Sequence, residues 1–192
     1  MPEASYLNGM TTLNSRAGVV LTGDCTSGRV FRLDTITGNY TVALDNELLQ
    51  PPPNATLPIG VNGIRVFRDY LYFTNTFKGL YARVPIDLDT GEAKGPYEVL
   101  GTKLISDDLA VRNGVGYLAG SIENVIIEIK PGREPKVIAG NLNSTVVAGA
   151  TAAAFGRTRK DSKVLYVVTS GTEGSPVNGT FVEPGKIVAI GI

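Results

Sequence analysis

Short apolar segments alternate with polar turns along the whole chain, and the stretch from Gly60 to Thr76 shows the repeating unit most clearly. An Asn-Gly pair at Asn62 leads into a short apolar segment, an Arg-Asp turn follows, and a second apolar segment ends at Thr74-Asn75-Thr76. Apolar runs of about four to eight residues that are bounded by Gly, Asn, Asp and Pro are typical of β-strands. The pattern therefore predicts strand-turn-strand units. Only residues 148–155 have a composition that could suit a helix, and the glycine among them argues against a helix.

The unit recurs four times, with corresponding positions at Asn8, Asn62, Asp107 and Thr151. These positions lie 54, 45 and 44 residues apart. A period of about 40–50 residues with about four strands is typical of propeller blades, while a sandwich with evenly spaced strands is the alternative. The sequence predicts an all-β fold, a β-propeller with about four blades in a single domain over 1–192.

The predicted blades span 7–45, 61–100, 106–140 and 146–192, and the last of them shows three strands. Residues 46–60 contain four prolines. Because proline has no backbone donor and favours extended conformations, this segment is predicted to be an extended, exposed connector.

The composition excludes several classes of binding partner and of catalytic group. Lys plus Arg equal Asp plus Glu at 18 each, with no basic run, so we expect no nucleic-acid partner. No apolar run reaches the length of a membrane span. The absence of histidine excludes Ser-His-Asp and Cys-His catalysis and His metal ligands within the chain. The single cysteine, Cys25, has no internal disulfide partner and is predicted to be a small buried residue at a strand end.

Oxygen-bearing side chains are the remaining candidates for a site. In a propeller, loops entering the innermost strands converge at one mouth of the channel, so Asn8, Asn62 and Asp107 are predicted to face one another there. Amide and carboxylate oxygens suit Ca²⁺ or Mg²⁺. Asn-Gly is also common turn chemistry, which is the favoured interpretation of Asn8. Asp108 and Thr151 are further substrate-channel candidates, although both also suit a structural hydrogen-bonding role.

Two features bear on the compartment and point in different directions. The sequence starts without a charged and apolar leader. Yet four Asn-x-Ser/Thr sequons, at Asn39, Asn54, Asn143 and Asn178, predict N-glycosylation in the secretory pathway or outside the cell.

The series of motifs resembles the six-bladed propellers of the senescence-marker-protein, gluconolactonase and strictosidine-synthase-like superfamily. The motif sequences are most similar to those of fungal members. The motifs are Leu7-Asn8-Gly9-Met10, Val61-Asn62-Gly63-Ile64 ahead of Leu71-Tyr72-Phe73-Thr74-Asn75, Ser106-Asp107-Asp108-Leu109, and Ala150-Thr151-Ala152-Ala153-Ala154-Phe155-Gly156 ahead of Leu165-Tyr166-Val167-Val168-Thr169. The resemblance covers nearly the whole chain. It implies six blades, so we expect this chain to be an N-terminally truncated fragment. The absence of the N-terminal part would also account for the absence of a leader.

The resemblance implies an enzyme acting on small molecules. In hydrolytic members a divalent cation polarises a lactone carbonyl, and the matching ligands are Asn62 and Asp107, with Asp107 as the catalytic candidate. The family's Glu ligand would lie in the missing part. Some fungal relatives instead serve specialised-metabolite pathways as hetero-Diels-Alderase-type cyclases that need no metal. A non-catalytic ligand-binding propeller is the third possibility, and the sequence leaves the oligomeric state open.

Overall fold

The computed structural model describes residues 1–172 and 176–192, and this described part contains fifteen β-strands and no helix. The strands are β1 (Leu7–Asn14), β2 (Val19–Asp24), β3 (Arg29–Asp34), β4 (Tyr40–Asp45), β5 (Val61–Phe67), β6 (Tyr70–Asn75), β7 (Leu80–Pro85), β8 (Glu98–Thr102), β9 (Leu109–Arg112), β10 (Val115–Gly120), β11 (Val125–Ile129), β12 (Lys136–Gly140), β13 (Ala150–Phe155), β14 (Val164–Thr169) and β15 (Ile187–Gly191).

The strands form four antiparallel sheets in which each strand pairs with its neighbours in the sequence. Sheet 1 is β1–β4, sheet 2 is β5–β8, sheet 3 is β9–β12, and sheet 4 is β13–β15. Consecutive antiparallel strands joined by short turns are the topology of a propeller blade. The predicted all-β propeller fold with about four blades is confirmed, and within the described residues the last sheet has three strands, as its sequence indicated. The sequence also predicts a long Gly-, Ser- and Pro-rich loop after β14, and part of that loop lies outside the described residues.

The chain divides into two compact units, residues 1–104 and 105–192. The first unit contains sheets 1 and 2, and the second contains sheets 3 and 4. The single domain, the six-bladed ring and the missing front part stay predictions.

The core of the first unit lies between sheets 1 and 2 and contains large side chains. Leu21 and Val30 of sheet 1 pack in one cluster with Leu71, Phe73 and Val84 of sheet 2, and all five are fully buried. Because side chains alternate between the two faces of a strand, every second residue of β6 reaches this core.

The core of the second unit lies between sheets 3 and 4 and is rich in small side chains. Ile126, Leu165 and Val167 pack there with four alanines, and the Tyr117 and Phe155 rings meet edge to face at 5.1 Å. The alanines are Ala110, Ala119, Ala150 and Ala153. Sheets lined by alanine approach more closely than sheets lined by leucine, so this core has little room for added volume.

The connector between sheets 1 and 2 is buried in part. Leu49 is fully buried, and its carbonyl accepts a hydrogen bond from the backbone N–H of Val61 at 2.7 Å. The Asn75 amide donates to the carbonyls of Leu48 and Gln50 at 3.0 and 2.8 Å. The predicted exposed connector is therefore wrong for Leu49: the backbone of this segment is hydrogen-bonded to sheet 2, while other residues of the segment face solvent. Cys25 is buried directly after β2, as predicted.

Candidate functional site

A β-bulge interrupts β5 at Asn62 and Gly63. Val61 pairs with Asn75 and Ile64 pairs with Phe73, so two residues of β5 oppose Thr74 alone on β6. A bulge breaks the regular alternation of a strand and turns a side chain in a new direction, which is why bulges recur beside functional sites. The Asn-Gly pair is therefore a bulge within a strand and not only a turn ahead of one.

Two threonine hydroxyls hold the bulge. The backbone N–H of Gly63 donates to Thr74 Oγ1 at 3.0 Å, and the Asn62 amide nitrogen donates to Thr76 Oγ1 at 2.9 Å. Thr74 is fully buried and Thr76 is 8% exposed. Neither threonine was predicted to belong to a site, although both stand in the Thr-Asn-Thr series at the end of β6.

The carbonyl oxygen of the Asn62 side chain is buried and has no hydrogen-bond partner among the described residues. Asn62 is only 5% exposed. An unpaired buried polar atom costs about 1–3 kcal/mol, and such atoms in folded proteins are few. Among the predicted site residues of the first unit, Asn62 is therefore the one whose side-chain oxygen has no partner among the described residues, whereas the oxygen of Asn8 is bonded.

Asn8 lies beside Asn62, since β1 runs next to β5 in the first unit. A Cβ atom at Gly9, where φ is +70°, would lie 2.0 Å from the backbone oxygen of Asn62. Only glycine allows this approach. The Asn8 side-chain oxygen accepts a hydrogen bond from the backbone N–H of Gly9 at 2.8 Å, which is local turn chemistry. The structure thus brings two of the predicted channel residues together. The side-chain oxygen of Asn8 already has a hydrogen-bond partner in the Gly9 backbone.

In the second unit, Asp108 and Thr151 are neighbours. The backbone N–H of Asp108 donates to the carbonyl of Thr151 at 3.1 Å. The Asp108 carboxylate accepts from the backbone N–H of Leu109 at 2.8 Å, and the Thr151 hydroxyl donates to the carbonyl of Val168 at 3.3 Å. Both side chains therefore have structural partners within their own unit.

Asp107 is held through its backbone, whose N–H donates to the carbonyl of Ala119 at 2.8 Å. Asn62 belongs to the first unit and Asp107 to the second, so their joint role as metal ligands stays a prediction. The described residues include no group of three or more His, Cys, Asp or Glu side chains that could hold a metal ion. The unpaired amide oxygen of Asn62 is nevertheless a hard donor of the kind that Ca²⁺ or Mg²⁺ accepts.

Tyr81 on β7 is a second buried polar group, and no sequence motif predicted it. It is 1% exposed, stacks on Tyr72 with ring centroids 6.1 Å apart, and its hydroxyl has no partner in the part of the chain that the structure describes. Burial, followed by the nearby Tyr72, raises the pKa of Tyr81 far above its usual range. The phenol is therefore neutral at ordinary pH and retains its proton.

All four predicted glycosylation sites, Asn39, Asn54, Asn143 and Asn178, are exposed. Asn54 and Asn178 adopt positive φ values of 61° and 54°, which places them in turns. Within the described residues there is no helix with the length and hydrophobicity that a membrane crossing requires.

Comparison with known proteins identifies fungal relatives. The chain is 33% identical over 157 residues to a candidate hetero-Diels-Alderase, asR5, of Sarocladium schorii, an alignment that covers 73% of this chain and 39% of the relative. It is 28% identical over 188 residues to a candidate hetero-Diels-Alderase of a Phoma species, covering 87% of this chain and 53% of the relative. The chain thus spans about half or less of the length of these relatives. No protein-family model matches it.

Among solved structures, the chain resembles a gluconolactonase from Xanthomonas campestris, with a TM-score of 0.61 and 18% identity. The match covers 98% of this chain and 59% of that one. At this identity the likeness establishes the propeller fold that the sequence motifs predicted and nothing about the reaction.

Proposed function

We propose that the protein is a propeller enzyme of fungal specialised metabolism that acts on a small molecule, and that its ligand contacts Asn62. The observation that carries this proposal is the buried, unpaired amide oxygen at the β5 bulge. A folded protein keeps such an atom unpaired at a cost, and a ligand that supplies the missing partner recovers that cost. Two reactions fit this site.

The first reaction is a hetero-Diels-Alder cyclisation, and the similarity to the two fungal relatives favours it. In this reaction an oxygen-containing diene, such as an enone or a quinone methide, adds to an alkene, so that one C–O bond and one C–C bond form and no atom leaves. Holding both partners in a reactive geometry supplies most of the acceleration. The contribution of Asn62 is to accept a hydrogen bond from the substrate and fix its orientation, without a cofactor.

The second reaction is lactone or ester hydrolysis assisted by a divalent cation, and the hard oxygens of Asn62 and Asp107 favour it. Both residues are predicted ligands of the cation, which supplies Lewis-acid polarisation of the carbonyl when bound. Asp107 is the catalytic candidate in this case, and Asp108 and Thr151 support the backbone beside it.

Chelation separates the two reactions. The purified protein is incubated with glucono-δ-lactone and, separately, with an o-quinone methide precursor and an alkene, before and after EDTA treatment. Turnover of the lactone that requires Ca²⁺ or Mg²⁺ and is lost in Asp107→Ala supports hydrolysis. Formation of the cycloadduct that survives EDTA supports cyclisation. Saturable binding without turnover of either would replace both with the third possibility, a ligand-binding propeller.

The exposed sequons support passage of the full protein through the secretory pathway and glycosylation at Asn39, Asn54, Asn143 and Asn178. Expression in a yeast secretory host, followed by glycosidase treatment, should lower the apparent mass in steps that disappear in the corresponding Asn→Gln variants. An unchanged mass would contradict this assignment.

A further inference from the structure

The outer strands of sheets 1, 2 and 3 carry features that prevent pairing with another chain. β4, β8 and β12 each contain a β-bulge against the strand beside them. Each also contains one charged residue: Asp45, Glu98 and Lys136, respectively. Bulges and charges are the usual protection of an exposed strand edge. β15, the last strand of sheet 4, has neither: its sequence is Ile-Val-Ala-Ile-Gly, and its register with β14 is unbroken.

β15 resembles instead the third strands of the other sheets. β3, β7 and β11 pair with the second strand of their sheet in an unbroken register, as β15 does with β14. Those three strands are paired on both sides, whereas β15 is paired on one side only within the described residues. β15 therefore has the character of an interior strand and an open edge.

Three residues of β15 direct their backbone groups to this open edge. Lys186 and Ile192, which flank the strand, both bond to the β14 side, the first through its carbonyl at 3.0 Å and the second through its N–H at 2.9 Å. Alternate residues of an antiparallel strand bond to the same neighbour. The N–H and carbonyl groups of Ile187, Ala189 and Gly191 therefore point outward, and they have no backbone partner in the described part of the chain.

The strand is complementary to a second copy of itself. When two β15 strands run antiparallel with Ala189 opposite Ala189, Ile187 of each copy lies opposite Gly191 of the other, and all outward groups pair. Ile187 is 72% exposed, and the space where a Cβ of Gly191 would lie is empty to 4 Å, so the large side chain has room beside the glycine. Since β15 has no charged residue, the pairing opposes no like charges.

The same pairing also matches the two faces of the sheet. Val188 and Ile190 pack against the core of the second unit. In the antiparallel pair Val188 of one copy lies opposite Ile190 of the other, because directly opposite residues share a face. The core-facing sides of both copies are therefore on one side of the joined sheet, as a two-fold axis through the Ala189 pair requires.

We propose that the open edge of β15 is a dimer interface, in which the β15 strands of two copies of this chain pair antiparallel about Ala189. The pairing joins two three-stranded sheets into one and makes each β15 an interior strand. The interface is small, since β15 has five residues. Small interfaces form reversible dimers, so the dimer should build up with protein concentration. This inference concerns assembly and does not depend on the proposed reaction.

Sedimentation velocity of the 192-residue chain, from about 1 µM to about 1 mM, tests the dimer. Ala189→Lys and Ala189→Glu each place two like charges opposite one another, at a side chain that is exposed within one copy. Val137→Lys, at a 52% exposed position of the protected outer strand β12, is the matched control. Circular dichroism checks that each variant folds.

We expect the wild type and Val137→Lys to shift from one chain to two as the concentration rises. Ala189→Lys and Ala189→Glu alone should each raise the dissociation constant about tenfold or more, and an equal mixture of the two should dimerise again. The proposal is overturned if the wild type stays a single chain over the whole range, as it would if a strand of another protein or of a longer form of this one covered the edge. It is also overturned if assemblies exceed two chains, or if the mixture does not dimerise.

Cysteine cross-linking tests the register. In the proposed pair the two copies of residue 189 have Cα atoms about 5.5 Å apart, within reach of a disulfide. The two copies of residue 187 are offset by four residues, about 13 Å along the strand. Mild oxidation should therefore link Ala189→Cys into a dimer and leave Ile187→Cys unlinked, while the buried Cys25 stays unreactive in both. Linking of Ile187→Cys and not of Ala189→Cys would overturn the pairing about Ala189.

Discussion

The two compact units place bulged or irregular strand ends at corresponding positions, but they use the polar side chains there differently. In the first unit the Asn62 oxygen is buried and unpaired. In the second unit the Asp108 carboxylate and the Thr151 hydroxyl each bond to backbone groups of their own unit. The same place in a repeated fold therefore holds an unpaired side-chain oxygen in one repeat and side chains bonded to the backbone in another.

The two cores differ as well. The first unit fills its core with leucine, valine and phenylalanine, and the second fills much of its core with alanine. In a core of large side chains, the free energy of unfolding falls most when a side chain is shortened. In a core of small side chains, it falls most when a side chain is lengthened. This difference can be tested by substitutions of opposite kind in the two units.

The largest expected effect is that of Phe73→Ala in the first unit. Phe73 is fully buried and meets the Tyr97 ring edge to face at 6.1 Å, so its removal leaves a cavity. We expect a loss of about 3–5 kcal/mol in the free energy of unfolding, measured by urea denaturation. Phe77→Ala, at a 41% exposed position, is the matched control and should cost far less. Equal losses in the two variants would contradict the assignment of Phe73 to the core.

A somewhat smaller effect is expected for Asp24→Ala, also in the first unit. The Asp24 carboxylate accepts hydrogen bonds from the backbone N–H groups of Ser5 and Tyr6 and from the Ser27 hydroxyl, at 2.8–3.1 Å. Asp24 is fully buried, and removing its carboxylate breaks these charge-assisted hydrogen bonds at a cost of about 3 kcal/mol. Asp69→Asn, on an exposed turn, is the control, and it should leave the unfolding midpoint nearly unchanged.

The contribution of Asp24 depends on pH. Burial acts to raise the pKa of Asp24, but the hydrogen bonds, led by that from Tyr6, outweigh it and leave the pKa below its usual value. Since the carboxylate form is favoured in the folded state, its contribution is complete above the unfolded pKa of about 4 and falls as the pH drops through the folded pKa. The stability difference between wild type and Asp24→Ala should therefore shrink when urea denaturation is repeated well below pH 4. A difference that grew in acid would contradict the hydrogen-bonded carboxylate.

The smallest of these stability effects is expected for Ala153→Leu in the second unit. Ala153 is 2% exposed in the alanine-rich core, and added volume there should cost about 1–3 kcal/mol. Ala154→Leu, the next residue on the same strand, points to the exposed face and is the matched control. An Ala153→Leu variant with the same free energy of unfolding as the wild type would contradict a close approach of the two sheets.

The sequence predicted the sheets well because strand periodicity and turn residues are local signals. The repeat of apolar segments that follow Asn8, Asn62, Asp107 and Thr151 was enough to place four blades and the three strands of the last one. Burial of Leu49 was not predictable from local signals, because it depends on hydrogen bonds that Asn75 makes to the connector across 27 and 25 residues.

The site was predicted less completely than the fold. Asn62 was singled out from its place in the repeat, but Asn-Gly alone does not distinguish a turn from a bulge. The hydrogen-bond partner of its amide is Thr76, 14 residues away and just beyond β6, so no pattern within β5 reveals this bond. The carboxylate pair Asp107-Asp108 was visible in the sequence, whereas the bond from Asp108 to Thr151 that joins two sheets was not.

The most direct test of the central claim compares Asn62→Leu with Thr151→Val in whichever of the two reactions the purified protein accelerates. If Asn62 contacts the ligand and Thr151 braces the backbone, Asn62→Leu should lower kcat/KM about tenfold or more while Thr151→Val stays close to the wild-type value. Unfolding midpoints of both variants show that each is folded under the assay conditions. The opposite order, with a folded Asn62→Leu fully active and Thr151→Val impaired, would contradict the claim.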